Sequence, residues 1–213
     1  MVSQGGIIMK DSKVSRLTQC AILAALCFVS FTYLQIKIPV PGGDATSIHF
    51  GNVFLVLASL LIGGVYGGLA GAIGMTIADI MDPVYILVAP KTFVLKFIIG
   101  LIVGTLAHKF GHINETSDRK HIFNWVLMSS ICGMAFNVIA DPLVGYFYKI
   151  YVLGQPADVA SVLAKWSAGA TFFNAITTVI IACLIYNALR PILIKSNLLL
   201  GYNPSKNAKN RVE

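Results

Sequence analysis

The chain is predicted to be an all-α polytopic membrane protein, with six transmembrane helices and both termini cytoplasmic. Three observations predict it. Of 213 residues, 56% are hydrophobic and only 12% are charged, about half the charged share of an ordinary globular domain. Six apolar runs recur, Leu17 to Ile36, Phe50 to Ile62, Val65 to Ile80, Thr92 to Ala107, Ile122 to Ala140 and Ala168 to Leu189; about 20 apolar residues match a hydrocarbon core of about 30 Å. Third, the net charge of +7 is unevenly spread.

With both termini inside, the cytoplasmic segments hold Lys10, Lys13, Arg16, Lys109, Arg119, Lys120, Arg190, Lys195, Lys206, Lys209 and Arg211, which is 11 of the 16 basic residues. The outer loops keep Lys37, Lys91, Lys149 and Lys165, and Lys96 falls within a span. The bias of basic residues toward the cytoplasm sets this orientation. The same residues serve as membrane anchors, so the basic balance calls for lipid and no nucleic acid.

Residues 1–14 read as a cytoplasmic segment, 15–195 as one six-helix bundle and 196–213 as a cytoplasmic tail, mobile from Asn203 onward, the whole being a single integral membrane domain. Met9-Lys10 offers an alternative start. The first apolar run is too long for a signal peptide and is followed by further spans, so it reads as a retained helix. The next stretch, "QIKIPVPGGDATSIHF", carries Pro39, Pro41, Gly42 and Gly43, which forbid helix and predict an exposed loop. Helices 2 and 3 are joined only by Gly63-Gly64. Helix 4 starts near Pro90, helix 5 ends around Asp141 to Tyr148, and helix 6 begins near Lys165-Trp166. Cys20, Cys27, Cys132 and Cys183 lie in apolar helices without CxxC spacing, as small buried hydrophobes and not a disulfide frame or metal site.

"LIGGVYGGLAGAIGMTIADIMDP" concentrates glycine where each interior one costs about 1 kcal/mol relative to alanine in water. Gly63, Gly67 and Gly71 repeat at every fourth residue, as do Gly64, Gly68 and Ala72. In lipid, helices associate through small residues that let backbones approach, so these stripes predict close helix packing. A short, glycine-interrupted span beside Asp79 is also compatible with a substrate site.

Depth reckoning at about 1.5 Å per residue gathers the polar groups. Lys96 lies about 9 Å inward from Pro90, Asn174 about 12 Å inward from Trp166, Asn137 about 24 Å up from His121 and Asp141 about 30 Å up. All four fall in the outer half of the bilayer, with Asp79 at the outer end of helix 3. Ser130, Gly133, Asn137 and Asp141 share one stripe; Ser167, Thr171, Asn174 and Thr178 share another. A lysine inside a span is costly and marks a site, a partner, or both: Lys96 contacts a ligand or pairs with Asp141 or Asp79. Asn137 and Asn174 serve either the ligand or interhelical hydrogen bonds. His49, at the end of the first outer loop, is a further ligand candidate. Phe93, Phe97, Phe136, Phe172 and Phe173 could wall a planar ligand or face lipid and core. His108 and His112 are placed to meet terminal carbonyls and not to hold metal.

Enzyme patterns are missing. Asp79 and Asp82 lack the further Asp and Gly positions of CDP-alcohol transferases, and neither a GxGD nor a GxSxG motif occurs. Without a GxxxxGK[ST] phosphate loop, uptake against a gradient needs an ion gradient or a borrowed motor, and no cofactor is expected.

"AILAALCF", "IPVPGGDATSIHFGNVFLVLASLLIGGVYGGLAGAIGMTIADI" and "APKTFVLKFIIGLIVGTLAHK" resemble the substrate-binding S components of energy-coupling factor (ECF) vitamin transporters, closest to the riboflavin-type branch, which includes pyridoxine- and hydroxymethylpyrimidine-like specificities. The resemblance runs from about Arg16 to Leu193. It implies six helices in a prokaryotic plasma membrane, a vitamin or vitamin precursor held beneath the first outer loop, and no catalysis. It also implies a transmembrane coupling protein and two cytoplasmic ATPases as partners, ATP being used only by the latter. The family's AxxxA docking motif falls on Ala21 and Ala25. A self-sufficient ion-coupled transporter is the alternative.

Overall fold

The computed structural model describes residues 13–40 and 44–203. The alternative start at Met9, Lys10, residues 41–43 and the tail with Lys206, Lys209 and Arg211 lie outside the described residues.

The chain folds as α1 (Lys13–Tyr33), a hairpin of β1 (Gln35–Val40) and β2 (Asp44–His49), α2 (Gly51–Ile62), α3 (Gly64–Met81), a 3-10 turn at Ile86–Val88, α4 (Ala89–Thr105) with a wider π turn over Leu106–Phe110, α5 (Arg119–Tyr151) and α6 (Ala157–Lys195). It is mostly helical, as expected, but not all-α. The segment expected as the first outer loop is an antiparallel ribbon pairing Gln35 with His49, Lys37 with Ser47 and Pro39 with Ala45. Proline forbids helix here without forbidding an edge strand.

Among the described residues, five helices are long and apolar enough to cross a membrane: α1, α3, α4 with its flanking turns, α5 and α6. The expected sixth span, α2, has 12 residues, about 18 Å, well short of a bilayer core. Eleven of those residues are buried, because α2 is apolar on every side and packs against α1, α3, α4 and α6. It forms the centre of the bundle.

The glycine stripes of α3 serve two different neighbours. A Cβ at Gly67 would collide with the Ala58 and Ser59 backbone of α2, and one at Gly71 with the Leu55 side chain. On the adjoining face, a Cβ at Gly68 would lie 2.8 Å from the Phe97 carbonyl oxygen of α4, and Gly64 meets Gly100 and Leu101. Gly100 and Gly104 of α4 reciprocate against Gly68 and Gly64. Gly63, expected in the first stripe, is open on its Cβ side, with nothing within 4 Å. Its φ of +86° instead makes the corner between α2 and α3, a conformation L side chains disfavour. Gly74 extends the seam to Ala24 and Cys27 of α1.

Helix ends differ from expectation on the side of the hairpin. α5 continues to Tyr151 and α6 starts at Ala157 directly after Pro156, so the long predicted outer loop is a short turn. At the opposite end, Arg190 is not a lipid anchor. It is buried, and its Nη2 donates to the carbonyls of Ile113 (2.8 Å) and Thr116 (3.3 Å), stapling the α4–α5 loop to α6. Cys20, Cys27 and Cys183 are buried as expected, whereas Cys132 is exposed on α5. His108 Nε2 lies 3.3 Å from the Ser59 carbonyl in the last turn of α2, and His112 Nδ1 lies 3.5 Å from Glu115.

Candidate functional site

Where α1 ends, α2 begins, α3 ends and α4 begins, the helices diverge beneath the hairpin and leave a cavity of about 120 Å³. That is roughly ten times the volume that admits one water, so it can take a small organic molecule. All six residues singled out from the sequence, His49, Asp79, Lys96, Asn137, Asp141 and Asn174, line it.

Helix periodicity explains the convergence. On α4, Lys91, Thr92 and Lys96 turn to one side; on α5, Asn137 and Asp141 stand one turn apart; on α6, Ser167, Thr171 and Asn174 do the same. Asp79 closes the α3 side at 2% exposure, beside Thr92.

Two internal devices hold the walls. Lys91 Nζ lies 2.9 Å from Asp141 Oδ1, while Ser167 Oγ donates to Asp141 Oδ2 at 2.7 Å, tying α4, α5 and α6 together. The internal partner of Asp141 is thus Lys91, not Lys96. Lys91, assigned from sequence to an outer loop, belongs to the cavity because α4 begins before it, at Ala89. The second device is Asn174, whose Oδ1 accepts from the His49 backbone N–H at 3.0 Å and whose Nδ2 donates to the Ser47 carbonyl at 2.9 Å. This amide extends the β2 ladder onto α6 and fixes the hairpin as the cavity roof. On the other strand, Lys37 pairs with Asp82 and lies over the Tyr85 ring, 5.6 Å from its centroid.

Other polar atoms are left unspent. Lys96 is 6% exposed, and its Nζ donates to Asn137 Oδ1 at a long 3.4 Å. Asn137 Nδ2 and His49 Nδ1 are buried without hydrogen-bond partners. The His49 ring stands edge-on to Phe31, centroids 4.5 Å apart, and burial first, then Lys96, lowers its pKa to about 3, keeping the imidazole neutral. Such an arrangement can bind and orient a polar molecule.

Of the two alternatives for the phenylalanines, the lipid- or core-facing one holds. Phe93, Phe172 and Phe173 face outward, Phe97 covers Gly68, and Phe136 packs on the core. Phe31 and Tyr85 supply the aromatic surface instead. Hairpin residues Ala45, Thr46 and Ser47 also line it; the alternation of Ile36, Ile38 and Val40 with Gln35, Lys37 and Pro39 was the signal for that strand pair.

Comparison with known proteins agrees with this architecture. A solved structure described as the S component of a bacterial ECF transporter superposes with a TM-score of 0.58, covering 85% of this chain and 99% of that one at 19% identity. At that identity the likeness shows the fold. An uncharacterized protein of Pyrococcus woesei, encoded in a gap 3' region, is 28% identical over 167 residues, covering 78% of this chain and 95% of its own length. Residues 11–191 match the family described as ECF-type riboflavin transporter, S component. A mostly helical chain with five helices of spanning length, a roofed polar cavity and this match over most of its length belongs to the family of ECF-type riboflavin transporter S components.

Proposed function

We propose that the protein is the substrate-binding subunit of an ECF-type importer in a prokaryotic plasma membrane, capturing a vitamin or vitamin precursor of riboflavin-, pyridoxine- or hydroxymethylpyrimidine-like type. The observation that carries this reading is the roofed cavity, which gathers Lys96, Asn137, Asp79, Asp141, Asn174 and His49 at one end of the bundle. That end faces outward and both termini lie in the cytoplasm, in keeping with the bias of basic residues.

Delivery depends on partners. A transmembrane coupling protein and two cytoplasmic ATPases supply the motion, ATP is used only by them, and this subunit carries no cofactor. Ala21 and Ala25 form the docking step. Both are exposed on α1, as are Leu17 and Ile22 beside them. Two small residues at i and i+4 leave a groove that a partner helix can enter.

The test uses the solitary protein in detergent. Small molecules that copurify are identified by mass spectrometry, and riboflavin binding is followed by flavin fluorescence quenching. Vesicles containing the protein alone, and with coupling protein and ATPases, are then compared for uptake. ATP-dependent uptake only in the complete set supports the reading. Uptake driven by an ion gradient without partners overturns it in favour of a self-sufficient transporter.

A further inference from the structure

Resting on the proposal that this cavity holds the substrate, we infer that the substrate carries an acidic group, a carboxylate or phosphate, seated on Lys96 Nζ. The inference comes from what each polar atom already has. Asp141 spends both oxygens, one on Lys91 and one on Ser167. Asn174 spends its amide on the hairpin backbone.

Lys96 differs. Among the described residues no carboxylate lies within 4 Å of its Nζ, and the one acceptor it reaches is Asn137 Oδ1 at 3.4 Å. An ammonium has three donors to satisfy, and a buried one left so poorly paired is costly. Lys96 thus holds at the cavity wall a cation with donors to spare. The complementary group is an anion that accepts from it, since charge-assisted hydrogen bonds are about twice as strong as neutral ones. A neutral carbonyl would satisfy the donors and leave the charge balanced only from beyond ion-pair distance, by Asp79 and Asp141.

Calorimetric titration of the full chain in detergent, with three matched pairs, tests this: nicotinamide and nicotinate, pyridoxine and its 5′-phosphate, riboflavin and its 5′-phosphate. The expected result is a pair in which the acidic member binds at least about 10-fold more tightly. Lys96→Met should collapse that ratio toward unity, and Lys96→Arg should retain it. Pairs that bind with the neutral member equal or tighter overturn the inference. If no member binds, the riboflavin- and pyridoxine-like readings fail on their own account. Thermal unfolding in inorganic phosphate, against chloride at equal ionic strength, then reads the anion site directly. Stabilisation of the unsubstituted protein that Lys96→Met loses supports it; no difference in the unsubstituted protein overturns it.

Discussion

Over its last two turns α4 runs against α3 with glycine facing glycine, Gly100 on Gly68 and Gly104 on Gly64. Over its first two turns the same helix is held off its neighbours by Lys91, Thr92 and Lys96. One end has no room for a methyl group, and the other holds a cavity. The helix is a wedge: side-chain size graded along its length sets both the seam and the opening. What stabilises the first end is dispersion at contact distance; what stabilises the second is an ion pair and directed hydrogen bonds.

The largest expected effect is at the seam. Gly104→Leu should destabilise by about 3 kcal/mol or more, the upper range for overpacking, because the clash is with backbone. Thermal unfolding in detergent checks it, and an unchanged midpoint would remove the tight end of the comparison. Next comes the wall of the opening. Asp141→Asn should cost about 3 kcal/mol by stranding Lys91, and adding Lys91→Met should recover most of it. Adding Lys96→Met instead should not, a contrast that separates the two lysines; recovery by either alike would show one diffuse charge cluster.

A smaller effect belongs to the roof. Asn174→Ala removes two hydrogen bonds to the hairpin and should cost about 2 kcal/mol, read as faster amide exchange at residues 44–49. Exchange no faster than in the parent would mean the strands hold the roof alone. The smallest change is Gly169→Ala on α6, where a Cβ would meet nothing within 4 Å. It should raise stability by up to about 1 kcal/mol through helix propensity. A loss there would place a neighbour against that face.

Bulk physical chemistry made much of this legible from sequence. Apolar run length located the helices, and small-residue spacing located α3's contacts, though not that its two stripes serve two different helices. Depth reckoning brought together residues that do line one cavity. What escaped was decided by a few residues at element ends. Lys91 reads as a loop residue next to Pro90, yet proline suits the first helical turn, so Lys91 lies inside α4. Lys165-Trp166 resembles a membrane-interface anchor and hid two helical turns beginning at Ala157. The hairpin was masked by prolines and glycines whose meaning depends on whether a strand lies at an edge. Pairings such as Lys91 with Asp141 require rotational register between helices, which spacing within one helix does not carry.

The brevity of α2 bears on how the chain reaches the membrane. A helix of 12 residues leaves its terminal amides and carbonyls in hydrocarbon if it stands alone, and Asn52 brings a side-chain amide with no hydrogen-bond partner. α2 is therefore not a segment the insertion machinery should accept by itself. It should enter as the first limb of a helical hairpin with α3, folded at Gly63, and be enclosed as later helices arrive. Ribosome-bound chains ending soon after Ile62 should leave a cysteine placed at Asn52 open to water-borne alkylation, and chains long enough to release α3 should shield it. Equal labelling at both lengths would mean that α2 enters unaided or waits for helices beyond α3.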